Sequence, residues 1–299
     1  MTTDALSTPP AEVEIDVALI GSLLRAQHPD LADMSIRIME AGWDNVMVRL
    51  GDGLALRLPR RAAAEPLILN EQNWLPKLAP HLPLPIPSPL CIGTPQGDYP
   101  FHWSVLNWLP GRAADQAPPD STEAPVLADF LRTLHALPVP ANPPRNSHRD
   151  CPLSRKQVDT ERRMATLKRE TDLITPEVER AWQDGLVAEI DLPKSLIAGD
   201  MHARNILTNG GKISAIIDWG DMCVGDPATD LASVWALFDD QNARKTALEA
   251  YGVTAPTAAR AKGWAVFFGV ILAETGRKDT PRHAAMGEAT LRRVSGDTA

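Results

Sequence analysis

The sequence predicts an α+β chain in two unequal parts: a small mixed sheet with one or two helices within residues 1–109 and a larger, mainly helical part over 110–299. Three observations predict it. Apolar residues alternate with period two between Ser35 and Leu58, the spacing of half-buried strands. From Ala124 onward they recur every three or four residues, the spacing of amphipathic helices. Pro110-Gly111 interrupts the chain between the two regimes, and 299 residues are more than one hydrophobic core usually serves.

Met1–Glu14 is polar, contains Pro9 and Pro10, and reads as a loose tail. Val17, Ile20, Leu23 and Leu24 share one face, so a helix spans 15–27. Ser35–Glu40, Asn45–Leu50 and Leu54–Leu58 read as strands, the last two joined by the hairpin turn Gly51-Asp52-Gly53. Ala62–Leu78 reads as a helix with Pro66 in its first turn. Pro80 to Pro95 carries six prolines, a stiff extended connection into a strand over 88–92. Phe101–Leu109 reads as a further strand, ending the first part.

In the second part, Ala124–Leu137 sets Val126, Leu127, Phe130, Leu131 and Leu134 on one side of a helix. Residues 138–152 form a proline-rich loop, and charged helices follow near 154–172 and 176–190. A β-rich patch covers 194–218, turning at Asn209-Gly210-Gly211. Helices resume near 228–238, 241–251, 256–275 and 281–294.

With 30 basic and 38 acidic side chains, the chain has a net charge of -8. That surplus disfavours a nucleic-acid binder held by phosphate contacts; it suits a cationic ligand without requiring one. Cys91, Cys151 and Cys223 lack CxxC spacing, which disfavours a disulfide framework or zinc knuckle and fits a reducing cytoplasm. Met1–Glu14 has neither the basic nor the apolar region of a signal peptide, and stretches such as Gly263–Ala273 are too short to span a membrane. A cytoplasmic protein without a membrane or nucleic-acid partner is expected; the sequence carries no signal for oligomeric state. No GxGxxG, HExxH or GxSxG occurs, and the nearest Walker-like stretch has Ile206 and Ile213 where Gly and Ser or Thr belong.

Leu196–Trp235 carries the chemistry. Asp200 and Asn205 stand five apart in a loop after the short strand Ser195–Ala198. Asp218 lies thirteen further on, closing the β-prone Ile213–Ile217. Asp226 and Asp230 open a helix through Asp226-Pro227. Phosphoryl transfer needs an acceptor hydroxyl held in line and divalent metal on the phosphates. A carboxylate such as Asp200 orients the hydroxyl and accepts its proton. The amide oxygen of Asn205 and the carboxylate of Asp218 are hard ligands suited to Mg²⁺. Each alone is an ordinary turn former; their joint spacing points to a kinase-like site.

GDMHARN at 199–205, IDWGD at 217–221 and GDPATDLA at 225–232 resemble the aminoglycoside phosphotransferase family, small-molecule kinases of the protein-kinase-like fold. The resemblance implies a bilobal α+β architecture, with a small antiparallel-sheet, nucleotide-binding lobe over 1–109 and a larger, mainly helical catalytic and substrate lobe over 110–299. It implies Asp200 as catalytic base, Asn205 and Asp218 as metal ligands, and Asp226 and Asp230 as structural aspartates that brace the catalytic loop. It also implies ATP and Mg²⁺. Arg57 stands where the family's strand lysine holds the α- and β-phosphates, and Glu71 where its acidic partner belongs. Arginine can hold phosphate but is not equivalent to lysine, and the pair reads equally as a surface ion pair. The hairpin Glu40–Leu50, around Gly42-Trp43-Asp44-Asn45, matches the phosphate cover. Val105–Leu109, with Asn107 and Trp108, matches the hinge that meets adenine.

Ala198 departs from the family's usual histidine, and Arg204 from a small residue; the latter sets a cation near the metal ligands, where it would weaken metal binding or help hold phosphate. His202 reads as a hydrogen-bonded loop residue, Arg60 and Arg61 as a solvated turn, and Trp219 and Trp235 as core or cleft wall. The implied function is ATP-dependent transfer of the γ-phosphate to a small-molecule hydroxyl, with an aminoglycoside-like antibiotic favoured and antibiotic resistance as the consequence. The alternatives are a kinase of another small alcohol (macrolide, homoserine, choline-like or fructosamine) and a catalytically silent nucleotide-binding protein of the same fold. Asp239, Asp240 and Glu274 are candidate acceptor contacts, with solvated helix surface as the competing reading. Ile213–Ala243 holds six aspartates and no Lys or Arg, a composition that would suit a polyamine.

Overall fold

A computed structural model of the chain describes residues 10–42 and 44–297; the start of the expected tail, residues 1–9, and Trp43 of the expected phosphate-covering turn lie outside them. The chain divides into two compact units. One runs to His81 and resumes over Pro85–Leu109; the other comprises Leu82–Leu84 and the chain from Pro110.

The first unit opens with α1 (Val17–Gln27), which starts where Asp16 accepts the N–H of Leu19 at 2.7 Å. Then come β1 (Ile36–Ala41), β2 (Asn45–Leu50), β3 (Leu54–Pro59), α2 (Glu65–Leu78), β4 (Pro89–Gly93) and β5 (Trp103–Asn107). The strands form one antiparallel sheet in the order β1-β2-β3-β5-β4. Alternation puts Val46, Val48 and Leu50 of β2 and Leu56 and Leu58 of β3 into the core, against Ile20, Leu23 and Leu24 of α1. Tyr99 and Trp103 complete that core, and the buried Tyr99 hydroxyl donates to the carbonyl of Pro59 at 2.8 Å. Arg60 and Arg61, expected as a solvated turn, instead clasp the β1–β2 turn. Nη1 of Arg60 donates to the carbonyl of Gly42 at 2.9 Å, and Nε of Arg61 to Asp44 at 2.7 Å.

The second unit contains, in order, β6 (Arg112–Ala113), α3 (Ala124–Ala136), α4 (Gln157–Glu170), α5 (Pro176–Val187), β7 (Ser195–Ile197), β8 (Ile206–Asn209), β9 (Lys212–Ile216) and β10 (Cys223–Gly225). It continues with α6 (Ala228–Leu231), α7 (Ser233–Leu237), α8 (Gln241–Tyr251), α9 (Ala255–Asp279) and α10 (Pro281–Ser295). The long α9 packs on α4, α5, α6 and α10. Strands β6, β8 and β9 make one small sheet, and β7 and β10 another. The helix expected over 228–238 is two short ones. Asp230 turns its side chain away to bond the loop after β7, and its carbonyl accepts from Ser233 Oγ at 2.6 Å. Among the described residues, no helix is long and apolar enough to cross a membrane.

Candidate active site

Strand β7 leads into the loop over 199–205 through Gly199, whose φ is +83°. A Cβ there would lie 2.6 Å from the carbonyl oxygen of Asp221, so both backbone shape and space require glycine. Asp230, fully buried, anchors this turn: its carboxylate accepts the N–H groups of Ala198 at 2.7 Å and Gly199 at 2.8 Å. The side chain of Ala198 adds no polar group, but its backbone N–H supplies this anchor. Nε2 of His135 lies 3.2 Å from the same carboxylate, and its Nδ1 meets the Tyr251 hydroxyl at 2.9 Å. Asp226 accepts the N–H of Ala228 at 3.0 Å and forks onto Arg260 of α9, at 2.7 Å from Nε and 3.2 Å from Nη2.

After Asp200 the chain makes a short 3₁₀ turn over Ala203–Asn205. Nδ2 of Asn205 donates to the backbone carbonyl of Asp200 at 2.9 Å, which leaves the amide oxygen available as a ligand. The carbonyl of Asn205 accepts the N–H of Ile217 at 2.8 Å, and Ile206 pairs with Ile216 in the β8–β9 hairpin. The hairpin therefore brings Asn205 and Asp218, thirteen residues apart, to one end. Asp218 has φ +59°, the one positive φ outside glycine among the described residues. Left-handed backbone costs a non-glycine residue about 1–2 kcal/mol, and such strain concentrates at functional sites.

The carboxylate of Asp200 is about a quarter exposed. Burial pushes its carboxyl up, His202 and Arg149 pull it down, Asp221 and Asp218 push it up again, and the net direction is upward. Nε2 of His202 lies 3.5 Å from Oδ2, and Nη2 of Arg149 lies 3.4 Å from Oδ1. Sequence reasoning missed Arg149. It comes from the proline-rich loop, binds Asp221 through Nε at 2.9 Å and Nη2 at 2.7 Å, and sits 5.0 Å from the ring centre of Phe268. Asn146 of the same loop donates to the other oxygen of Asp221 at 2.8 Å. Burial would lower the Arg149 pKa, but Asp221 and Asp200 outweigh it and raise it.

An amide oxygen and a strained carboxylate at one hairpin end fit Mg²⁺, which takes few protein oxygens and fills its shell with water and phosphate. Among the described residues, no cluster of three or more His, Cys, Asp or Glu side chains competes as a metal site.

The other predicted residues fall as follows. Arg57 on β3 and Glu71 on α2 form an ion pair at 2.9 Å, and it is buried rather than on the surface. Asn107 is exposed at the end of β5. The N–H of Trp108 donates to the carbonyl of Gly53 at 2.8 Å, and its ring lies under Arg49 at 4.1 Å. Trp219 is a core residue and donates to the carbonyl of Ile216, while Trp235 donates to Asp297. Arg204 is drawn to His283 of α10 at 2.9 Å. Asp239, 82% exposed, is held by Arg293 at 2.6 Å. Asp240 caps α8 by accepting the N–H of Asn242 at 2.9 Å. Glu274 is buried against Arg163 at 2.5 Å and Lys278 at 2.9 Å. Asp239 and Asp240 adjoin in the connection before α8 and Glu274 stands on α9, each with a structural partner.

A family model described as "Phosphotransferase enzyme family" matches residues 35–264. An aminoglycoside 3'-phosphotransferase of Escherichia coli is 30% identical over 193 residues, 62% of this chain and 68% of that protein. The solved GDP complex of wild-type aminoglycoside 2'-phosphotransferase-IIIa is similar at a TM-score of 0.68 and 16% identity, over 95% of this chain and 100% of that one. The apoenzyme of macrolide 2'-phosphotransferase MphH from Brachybacterium faecium is similar at a TM-score of 0.58 and 22% identity, over 95% and 100%. The bilobal, kinase-like α+β fold expected from the motifs is the fold these structures share with the chain.

Proposed function

We propose that this chain, which belongs to the phosphotransferase enzyme family, moves the γ-phosphate of ATP to a hydroxyl of a small-molecule acceptor. The observation that carries this reading is the arrangement at the β8–β9 hairpin: Asp200, with Asn205 bonded to its carbonyl and Asp218 tethered beside Asn205 through Ile217. Asp200 orients the acceptor hydroxyl and takes its proton; the net upward push on its carboxyl makes it a better acceptor. Asn205 and Asp218 would hold Mg²⁺, which when bound supplies charge neutralisation on the phosphates. In the first unit, Arg57, oriented by Glu71, is the phosphate-holding cation, and the backbone around Asn107 and Trp108 receives the adenine. An ATP donor assigns the reaction to the cytoplasm.

The acceptor named first is an aminoglycoside, on the likeness to the Escherichia coli 3'-phosphotransferase. One observation favours a second reading, an acceptor with less positive charge than a polyamine, such as a macrolide. Asp221, Asp226, Asp239 and Glu274 are already paired with arginines of this chain, so they offer a polyamine less charge than their number suggests. In either case Asp200→Ala lowers kcat about 10²–10⁴-fold with Mg-ATP binding retained. Full turnover by that variant would remove Asp200 from the role.

A further inference from the structure

Two polar atoms beside the candidate active site are sealed from solvent and make no hydrogen bond: Nδ1 of His202 and Oγ1 of Thr229. Folded proteins rarely leave such groups unmatched, because each costs about 1–3 kcal/mol. Both residues line one small cavity in the second unit, walled also by Met201, Ala232, Phe268 and Leu272, with room for about one water molecule. Thr229 is 1% exposed, and its backbone is held where its N–H donates to the carbonyl of Asp226 at 2.9 Å in the turn that Asp226 and Asp230 pin. The far edge of the imidazole faces the proposed base: Nε2 is 3.5 Å from Oδ2 of Asp200. Thr229, with its sealed hydroxyl, and His202, with its sealed ring nitrogen, thus line one cavity, while the other nitrogen of the imidazole addresses the carboxylate of Asp200.

From this juxtaposition we propose that the cavity holds one water that bridges Oγ1 of Thr229 to Nδ1 of His202 and holds the ring so that its neutral form, when present, keeps the proton on Nε2, toward the carboxylate of Asp200. A dry apolar hole would not need two polar atoms; a single water satisfies both and holds the ring at one angle. His202 is then a positioning residue. It sets Oδ2 of Asp200 while Arg149 sets Oδ1, which fixes the plane of the carboxylate. The effect on turnover rests on Asp200 orienting the acceptor; the water and the tautomer do not.

The test compares Thr229→Val with Thr229→Ser in the full chain. A bridging water loses a partner in T229V, so Tm falls by about 2–4 °C, and T229S restores it. A dry cavity predicts the opposite sign, because a methyl group replaces an orphan hydroxyl and Tm rises. Nitrogen NMR of His202, above the ordinary histidine range of pH, should show the proton on Nε2 in the wild type and a mixture in T229V. A rise in Tm for T229V, or a wild-type proton on Nδ1, overturns the water bridge. Both readings are taken without substrate and so stand apart from the role of Asp200. With a turned-over acceptor, kcat of T229V falls about tenfold at unchanged KM for both substrates, and T229S recovers it. An unchanged kcat overturns the positioning role.

Discussion

Asp218 combines a strained backbone with the chemistry proposed for it. Its φ of +59° has no support from a glycine, so the surrounding hairpin must hold it. Asp218→Ala and Asp218→Gly both remove the carboxylate and, on the proposed metal role, should abolish turnover. Only alanine keeps the left-handed cost, so D218G should be more stable than D218A by about 1 kcal/mol, read from urea midpoints. Equal midpoints would mean that the backbone relaxes freely. The nearness of Asn205 to Asp200 and to Asp218 was legible in the sequence because one loop and one hairpin join them, and local spacing encodes both. Arg149 was not legible. Its partner Asp221 lies 72 residues away, and a proline-rich loop has no period from which a side chain's direction can be read. The same limit applied to Asp239, Asp240 and Glu274: their charge was visible, but the arginines and the helix end that engage them were not.

Elements were read well where periodicity had room to act. Strands β1 to β3 announce themselves by alternation, and α3 by its apolar face. Strands β6 and β10 have two and three residues, too few for any period, and pairing with β8 and β7 alone defines them. The break between α6 and α7 is equally invisible, because the side chain of Asp230 serves the loop after β7 rather than its own helix. The α9–α10 contact depends on glycine for closeness rather than for backbone freedom. A Cβ at Gly287 would stand 2.3 Å from the backbone nitrogen of Ala273 and 2.5 Å from the carbonyl oxygen of Gly269. Gly287→Ala should therefore cost about 1–3 kcal/mol in denaturant unfolding, as overpacked cores do. Gly53→Ala, with open space around the added carbon, is the near-neutral control. Similar costs at both sites would contradict the packing argument.

For the whole molecule, the charge of -8 proves a poor guide to the ligand. The aspartates of 213–243 are largely answered from outside the segment, by Arg149, Arg260 and Arg293 and by the N–H groups of Ala198 and Gly199. Charge instead governs stability against acid. Burial alone would raise the carboxyl of Asp297, but hydrogen bonds from Trp235 and Arg244, with the charges of Lys262 and Arg244, hold it below the ordinary carboxylate range. A depressed folded pKa stabilises above the unfolded value and loses that contribution as pH falls through the folded one. Asp297→Asn should thus lower stability by about 1–3 kcal/mol near neutrality, with the difference from wild type vanishing in acid. A constant difference across pH would show that the charge does not matter. The assignment of function itself is read by phosphorus NMR of wild type and Asp200→Asn, each with Mg-ATP and a panel of aminoglycosides, macrolides and small alcohols. The expected result is a phosphomonoester on at least one acceptor, formed about 100-fold or more slowly by D200N. Ester formed at the wild-type rate by D200N, or ATP consumed with no ester on any acceptor, would contradict phosphoryl transfer through Asp200.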